Sequence, residues 1–412
     1  MTTDPKALND ICLRALLRYF RPDVQTSPFS KPTLGKNDVT SLEVIWALSQ
    51  TVKELTDCII GRQRSLSETL VPETVISYGG ISGAVSARET LLLQEQTLDP
   101  CVIVSEEINP SHVSPANQLV AWVLLHALDS LLVIARHVDV AELPHISERI
   151  SLLERALRTA PLRDLALNPV CRKKPTHFAL RAASKSRQMV YAFALRAFTT
   201  LQKLEELDQK TLESVLSNAL LSNLEDWQRF EMAACLKISD ALSILVGVPF
   251  ILDLSLSGKR PFAQLGEYSI AWQKSIKPRG QADLNQTELQ LRHLAESVGV
   301  RPGSLRGDIA LMKGPTIVAL VECKWFTFEQ SYTPAAWDAC AQLQQYARDI
   351  FPNDEKQVER LLAHSLIVVR TSPDNQMRYR RFDSLGKVNC AHFNDLDTPA
   401  IAQWIDSLKL KI

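Results

Sequence analysis

The sequence lacks net charge, with 46 Lys and Arg against 46 Asp and Glu. A chain holding nucleic acid by bulk charge would be basic, so any such contact must come from a local patch or a partner. Cysteine pairing is missing too. The eight cysteines (Cys12, Cys58, Cys101, Cys171, Cys235, Cys323, Cys340, Cys390) form no Cys-x-x-Cys and no Cys/His group at zinc spacing. That excludes a zinc ribbon or a disulfide framework and predicts reduced core thiols. No Gly-rich loop ends in Gly-Lys-Ser/Thr, and Gly-x-Gly-x-x-Gly, Gly-x-Ser-x-Gly and His-Glu-x-x-His are all absent. The chain therefore carries no signature for hydrolysing nucleotides or for serine-hydrolase or zincin chemistry. Its longest apolar stretch, 119–135, is interrupted by His126 and Asp129, short of the roughly 20 clean residues of a membrane span, and reads as a buried helix. The first residues show no basic segment leading into an apolar one, so a cytoplasmic protein with no membrane partner is expected.

What is present is a soluble composition, 46% hydrophobic and 22% charged over 412 residues, enough for two or three domains. Helical periodicity dominates the first 250 residues, with helices expected at 6–20, 38–64, 115–136, 142–160, 176–204, 210–222 and 225–246. Residues 72–110, with Gly79, Gly80 and Gly83, read as turns and short strands. After Gly247 strands take over, at 249–256, 268–272, 307–312, 316–328, 365–370 and 388–393, interrupted by helices near 284–297 and 334–350. The expected class is α+β, a mostly helical N-terminal region followed by an α/β domain with a central mixed sheet. The expected segments are 1–70, helical; 71–222, mainly helical with short strands; and 223–412.

The chemistry concentrates in residues 306–325. Lys313-Gly314-Pro315 is a turn between two strands, and alternation puts Val318, Leu320, Glu322 and Lys324 on one face. If Met312 pairs with Thr316, Asp308 falls opposite Leu320 and diagonally beside Glu322, roughly 7–8 Å away between backbone positions. Two carboxylates can then reach one hard cation, Mg²⁺ or Mn²⁺, beside a lysine able to offset charge on a phosphorane. That set suits metal-dependent phosphodiester hydrolysis. The blander account is a Glu–Lys ion pair at a strand end, but both residues close an apolar strand, where exposed charges are not expected. A helix acid could join them. Periodicity offers Glu231, alone among Trp227, Ala234, Ile238, Ala241 and Leu245, or Glu288 with Leu284, Leu291 and Ala295, and does not choose.

Asp308, Glu322 and Lys324 on a hairpin resemble the PD-(D/E)xK nuclease superfamily, with Gly307 where the family usually has proline. Gln342-Leu-Gln-Gln-Tyr346 resembles its Gln-xxx-Tyr pair on the following helix. Gly83-Ala-Val-Ser-Ala-Arg-Glu-Thr90, Ser114-Pro-Ala-Asn-Gln118 opening a long helix, and Phe230-Glu231 resemble, in order and spacing, McrC-like nuclease subunits of bacterial restriction and phage-defence systems. The family's Pro-Glu-Asn-Arg stands here as Pro115-Ala116-Asn117-Gln118, and residues 1–70 match no landmark. The resemblance implies a restriction-endonuclease-like domain, with Glu231, Asp308, Glu322 and Lys324 catalytic, Asp308 and Glu322 holding the metal, and Gln342 and Tyr346 supporting. Glu288 remains in reserve. It also implies DNA as substrate and a nucleotide-hydrolysing motor or recognition subunit from the same locus. Alternatives are a catalytically silent scaffold or DNA-binding subunit of the same fold, and an RNase.

One basic patch stands out. Between 161 and 190, Arg163, Arg172, Lys173, Lys174, Arg181, Lys185 and Arg187 face a single acid, Asp164. Arg172, Lys173, Lys174 and Arg181 could follow a phosphate backbone, or simply form a solvated face. Arg196 extends the patch, and Lys259, Arg260, Lys274, Lys277 and Arg279 are the next candidates.

Overall fold

The structure is a computed structural model that describes residues 5–20, 36–61, 66–81, 83–136, 144–253, 261–277, 279–280, 284, 286–297, 305–326, 332–370, 388–397 and 399–408. It is an α+β fold with a helical N-terminal region, as its periodicities predict. The chain divides into two compact units, one of Met1–Ile45, Val133–Glu142 and Leu204–Ile412, the other of Trp46–Leu132 and Leu143–Lys203. Both units draw on separated stretches of the chain. Helix α1 (Pro5–Phe20) lies against a helix more than 200 residues away, a long-range packing that local patterns do not report.

Along the chain follow α2 (Lys36–Ala47), α3 (Gln50–Gly61), β1 (Thr69–Tyr78), β2 (Ala84–Val85), α4 (Ala87–Thr97), β3 (Val102–Ser111), α5 (Pro115–Ala135), α6 (Pro144–Leu157), α7 (Leu162–Leu167), α8 (His177–Lys185) and α9 (Met189–Glu205). The stretch expected to hold short strands instead forms two ten-residue strands, β1 and β3, antiparallel with β2 on the other edge. The helix expected over 176–204 is two. Thr176 caps α8 by accepting the Ala179 N–H at 3.4 Å, and Ser186 turns extended at ψ 141°, so α9 starts afresh. Helix α5 has the length and composition of a membrane span, but 61% of its most apolar window is buried inside the protein. Leu119, Val120, Val123 and Leu124 form core there.

The second half contains α10 (Gln209–Val215), α11 (Asp226–Val246), β4 (Ile251–Leu252), β5 (Ala263–Leu265), β6 (Tyr268–Ile276), α12 (Gln286–Ser297), β7 (Leu305–Lys313), β8 (Thr316–Lys324), α13 (Tyr332–Ile350), α14 (Glu355–His364), β9 (Leu366–Val369), β10 (Asn389–His392) and α15 (Pro399–Ser407). Its sheet runs β10-β9-β8-β7-β6-β5-β4. Strands β4 to β8 pair antiparallel, and β9 and β10 add in parallel, β9 after the α13–α14 crossover. One face is sealed by Ala339, Leu343, Tyr346 and Ala347 of α13 with Val358 and Leu361 of α14, packed on Ala310, Leu320, Ile367 and Val369. Helix α11 packs against β5 to β8. It starts with Gln228 Oε1 accepting the Glu225 N–H at 2.9 Å and ends at Gly247, whose φ of 69° is the left-handed conformation of a helix stop.

The hairpin forms, but in another register. Lys313 pairs with Thr316 around Gly314-Pro315, and a bulge makes Val318 an extra residue, so that Leu311 pairs with Ala319 and Ala310 with Leu320. Asp308 is therefore not opposite Leu320. The register, carried one step past Ile309–Val321, sets it level with Glu322. Strand β8 also ends at Lys324 rather than at 328.

The landmark Asn117 is a structural tie. Its Nδ2 donates to the Ser67 and His112 carbonyls at 2.9 and 2.7 Å, and its Oδ1 accepts the buried Tyr191 hydroxyl. Asn117→Ala removes these three bonds, although the His112 carbonyl keeps the Ser114 N–H and the Tyr191 hydroxyl keeps Ser67, and is expected to cost about 1–2 kcal/mol in urea denaturation. A loss below about half a kcal/mol would mean that water replaces the amide without penalty.

Candidate active site

Three acids from distant parts of the chain meet around Asp308. Glu322, in the buried run of β8, is 1% exposed. Its Oε1 accepts the Asp308 N–H at 3.5 Å, and its Oε2 lies 3.7 Å from Lys324 Nζ. Asp308 Oδ2 accepts the Cys323 N–H at 2.7 Å, so each acid of the hairpin is braced by the opposite strand's backbone. Glu231, buried on α11, accepts from Trp272 Nε1 at 2.8 Å and Gln273 Nε2 at 3.2 Å, both on its Oε2.

Lys324 donates to Asp338 Oδ2 at 2.8 Å and also to Gln342 Oε1, both on α13. Gln342 thus belongs to the site. Tyr346 serves it at one remove, since its hydroxyl donates to the Arg306 carbonyl at 2.8 Å and pins β7 just before Asp308. Helix α12 carries Glu288, whose side chain lies outside the described residues.

Burial sets the protonation of the cluster. It pushes the Asp308 carboxyl up to about 6, against the Cys323 N–H and the Lys324 charge. Burial, then the charge of Asp308, pushes Glu322 up to about 9. Glu231 is raised well above the carboxylate range by the same two causes, against the Trp272 and Gln273 donors. Burial works against the Lys324 ammonium, yet Asp338, Glu322 and Asp308 hold it above its ordinary value. Three acids sharing one lysine are short of positive charge, the condition a bound cation relieves.

Among the described residues no three His, Cys, Asp or Glu side chains form a metal cage. Two adjacent carboxylates fit a hard ion that keeps most of its water, so Asp308 and Glu322 would hold Mg²⁺ or Mn²⁺. Such an ion, when bound, supplies a water of lowered pKa and charge neutralisation at a phosphoryl group. Lys324 can place its ammonium against a phosphate oxygen, and Glu231, held on its Oε2 by Trp272 and Gln273, can orient a water through Oε1.

Trp272, Gln273 and Asp338 were not among the residues expected from sequence. Asp338 stands one helical turn before Gln342 and could have been read from that spacing. Nothing in the alternation of β6 marks Trp272 or Gln273 as donors to one atom.

The basic residues belong to the other unit. Arg172, Lys173, Lys174 and Arg181 are exposed, and Phe178, 68% exposed, sits among them on α8. Arg196 is not part of that surface reserve, because it pairs with Glu54 at 2.9 Å over the Phe193 ring. Arg279 is likewise committed, buried against Asp349 at 2.7 Å. Lys259 and Arg260 lie outside the described residues.

No family model matches the sequence, and no curated protein matches it. Among solved structures the chain is similar to one in the half-complex of a tetradecameric assembly of Thermococcus gammatolerans McrB AAA+ hexamers with bound McrC. The identity is 13%, over 99% of this chain and 78% of that one, at a TM-score of 0.27.

Linkage makes the cluster testable without any substrate. Folded Glu322 keeps its proton to about pH 9, whereas an unfolded glutamate releases it near 4.5, so stability from this group is lost as pH rises across that interval. In chelator, Glu322→Gln is expected to gain stability relative to the wild type between about pH 5 and 9, measured by urea denaturation, and millimolar Mg²⁺ to stabilise only the wild type. A pH-independent difference would show that Glu322 is not held in a crowded acid cluster.

Proposed function

We propose that this chain is a metal-dependent phosphodiesterase of the PD-(D/E)xK kind, a DNA endonuclease that serves as the cleaving subunit of a prokaryotic restriction or anti-phage system. The observation that carries the reading is the convergence of Glu231, Asp308 and Glu322 with Lys324 in one buried site. A scaffold of the same fold has no use for two buried carboxylates and a half-buried third, each costly to desolvate, and chemistry is the reason to retain them. In this reading any nucleotide-driven movement on DNA is assigned to a partner, since the given sequence carries no Gly-Lys-Ser/Thr phosphate loop. The resemblance to McrC-like subunits makes that partner a motor from the same locus.

The test is cleavage of duplex DNA with Mg²⁺ or Mn²⁺, alone and with any nucleotide-hydrolysing motor found at the same locus. Glu322→Ala and Lys324→Ala are each expected to lower cleavage at least about a hundredfold with the circular dichroism unchanged. Glu231→Gln should impair it more than Glu288→Gln. Full activity in either alanine variant removes the assignment, and the reverse ranking moves the helix acid to α12. Cleavage of RNA alone would convert the reading to an RNase.

DNA grip is assigned to the exposed basic segment. Replacing Arg172, Lys173 and Arg181 by Ala should weaken binding to all sequences alike and lower the log–log salt slope by slightly under one unit per lost phosphate contact. An unchanged slope in fluorescence anisotropy would make the segment a solvated face.

A further inference from the structure

Strand β6 departs from its two-residue alternation at one place. Ala271 and Ile276 are an odd number of positions apart, yet both enter the core cluster with Leu343 and Tyr346. The ladder to β7 pairs Trp272 with Ile309 and Lys274 with Gly307, and skips the pair between them, Gln273 and Asp308. Gln273 has a φ of 50°, in the left-handed region that glutamine rarely occupies. Position 307 shows a matching break. A Cβ added there would meet Leu320 Cδ2 at 3.6 Å and Tyr346 Cδ2 at 3.9 Å, in the cluster that also holds Ala310, again an odd spacing away.

On a regular strand, Trp272 and Gln273 would point to opposite faces. Here their N–H groups end on one atom, Glu231 Oε2, at 2.8 and 3.2 Å. No other described residue donates a hydrogen bond to Glu231. Two donors on one oxygen fix the rotation of the carboxylate and leave Oε1 as the oxygen open to the site. A strained residue beside Asp308, whose side chain reaches a buried acid, is where backbone cost is repaid by geometry.

We propose that Gln273 is a positioning residue, its left-handed backbone turning its amide onto Glu231 Oε2 so that Gln273 and Trp272 together orient this carboxylate. Its effect on cleavage rests on the nuclease reading above, whereas the clamp itself does not. A purely structural Gln273 would serve only to bend β6, and glycine, which adopts φ near 50° freely, would do that equally well.

Gln273→Gly separates the two roles, because it keeps the backbone and deletes the amide. The expected result is a melting temperature equal to or above the wild type, with kcat for DNA cleavage lowered about ten- to a hundredfold and KM nearly unchanged. In a Glu231→Gln background the same substitution should cause no further loss, since both act through one carboxylate. A readout independent of activity is the ¹⁵N–¹H resonance of the Trp272 indole, assigned by its disappearance in Trp272→Phe. It should move in both Gln273→Gly and Glu231→Gln, metal-free. An indole resonance unmoved by both substitutions overturns the clamp, and so do additive losses in an active enzyme. If the wild type cleaves nothing, the nuclease reading falls while the resonance still decides the clamp.

Discussion

Three carboxylates and one ammonium share a volume largely closed to water, and much of the sheet-bearing unit is arranged around keeping them there. Desolvation raises Asp308, Glu322 and Glu231 above the ordinary carboxylate range, each also feeling charged neighbours. Such a cluster survives only if the surrounding fold is stable enough to absorb the cost. The apolar layer of α13 and α14 on β7, β8 and β9 contributes that stability. It also presents Asp338 and Gln342 to the lysine.

Two departures from a regular sheet lie close to the acids. The bulge at Val318 sets Asp308 level with Glu322, and the left-handed Gln273 carries an amide that reaches Glu231. Irregularity in a sheet usually weakens it. The break in the β6–β7 ladder falls beside Asp308 and leaves that ladder intact toward Tyr268 and Lys313.

The neutral charge of the whole chain fits a division of labour. The basic surface of Arg172, Lys173, Lys174 and Arg181 belongs to one compact unit and the acid cluster to the other. Under the proposed function the first would hold a phosphate backbone and the second a hard cation. Asn117 ties the segments flanking β1 and β3 to α5 and α9 within the first of these units.

The helices and most strands were legible from periodicity because each is a local pattern of burial, and Gly314-Pro315 and Gly247 marked a hairpin turn and a helix end by backbone chemistry alone. Asp308, Glu322 and Lys324 were readable as a set because two lie on one strand, and the hairpin brings the third alongside. The choice of Glu231 needed a resemblance, since two helices offered the same amphipathic face. The register past the bulge and the donors Trp272 and Gln273 were not readable from local pattern. A bulge shifts pairing by one residue without changing the hydrophobic pattern, and interleaved units arise from contacts over hundreds of residues. A left-handed glutamine has no sequence signal, because the neighbours that stabilise it come from α11 and β7. Local propensity therefore decided the elements, and only the tertiary packing of α11 against the sheet decided which charges met.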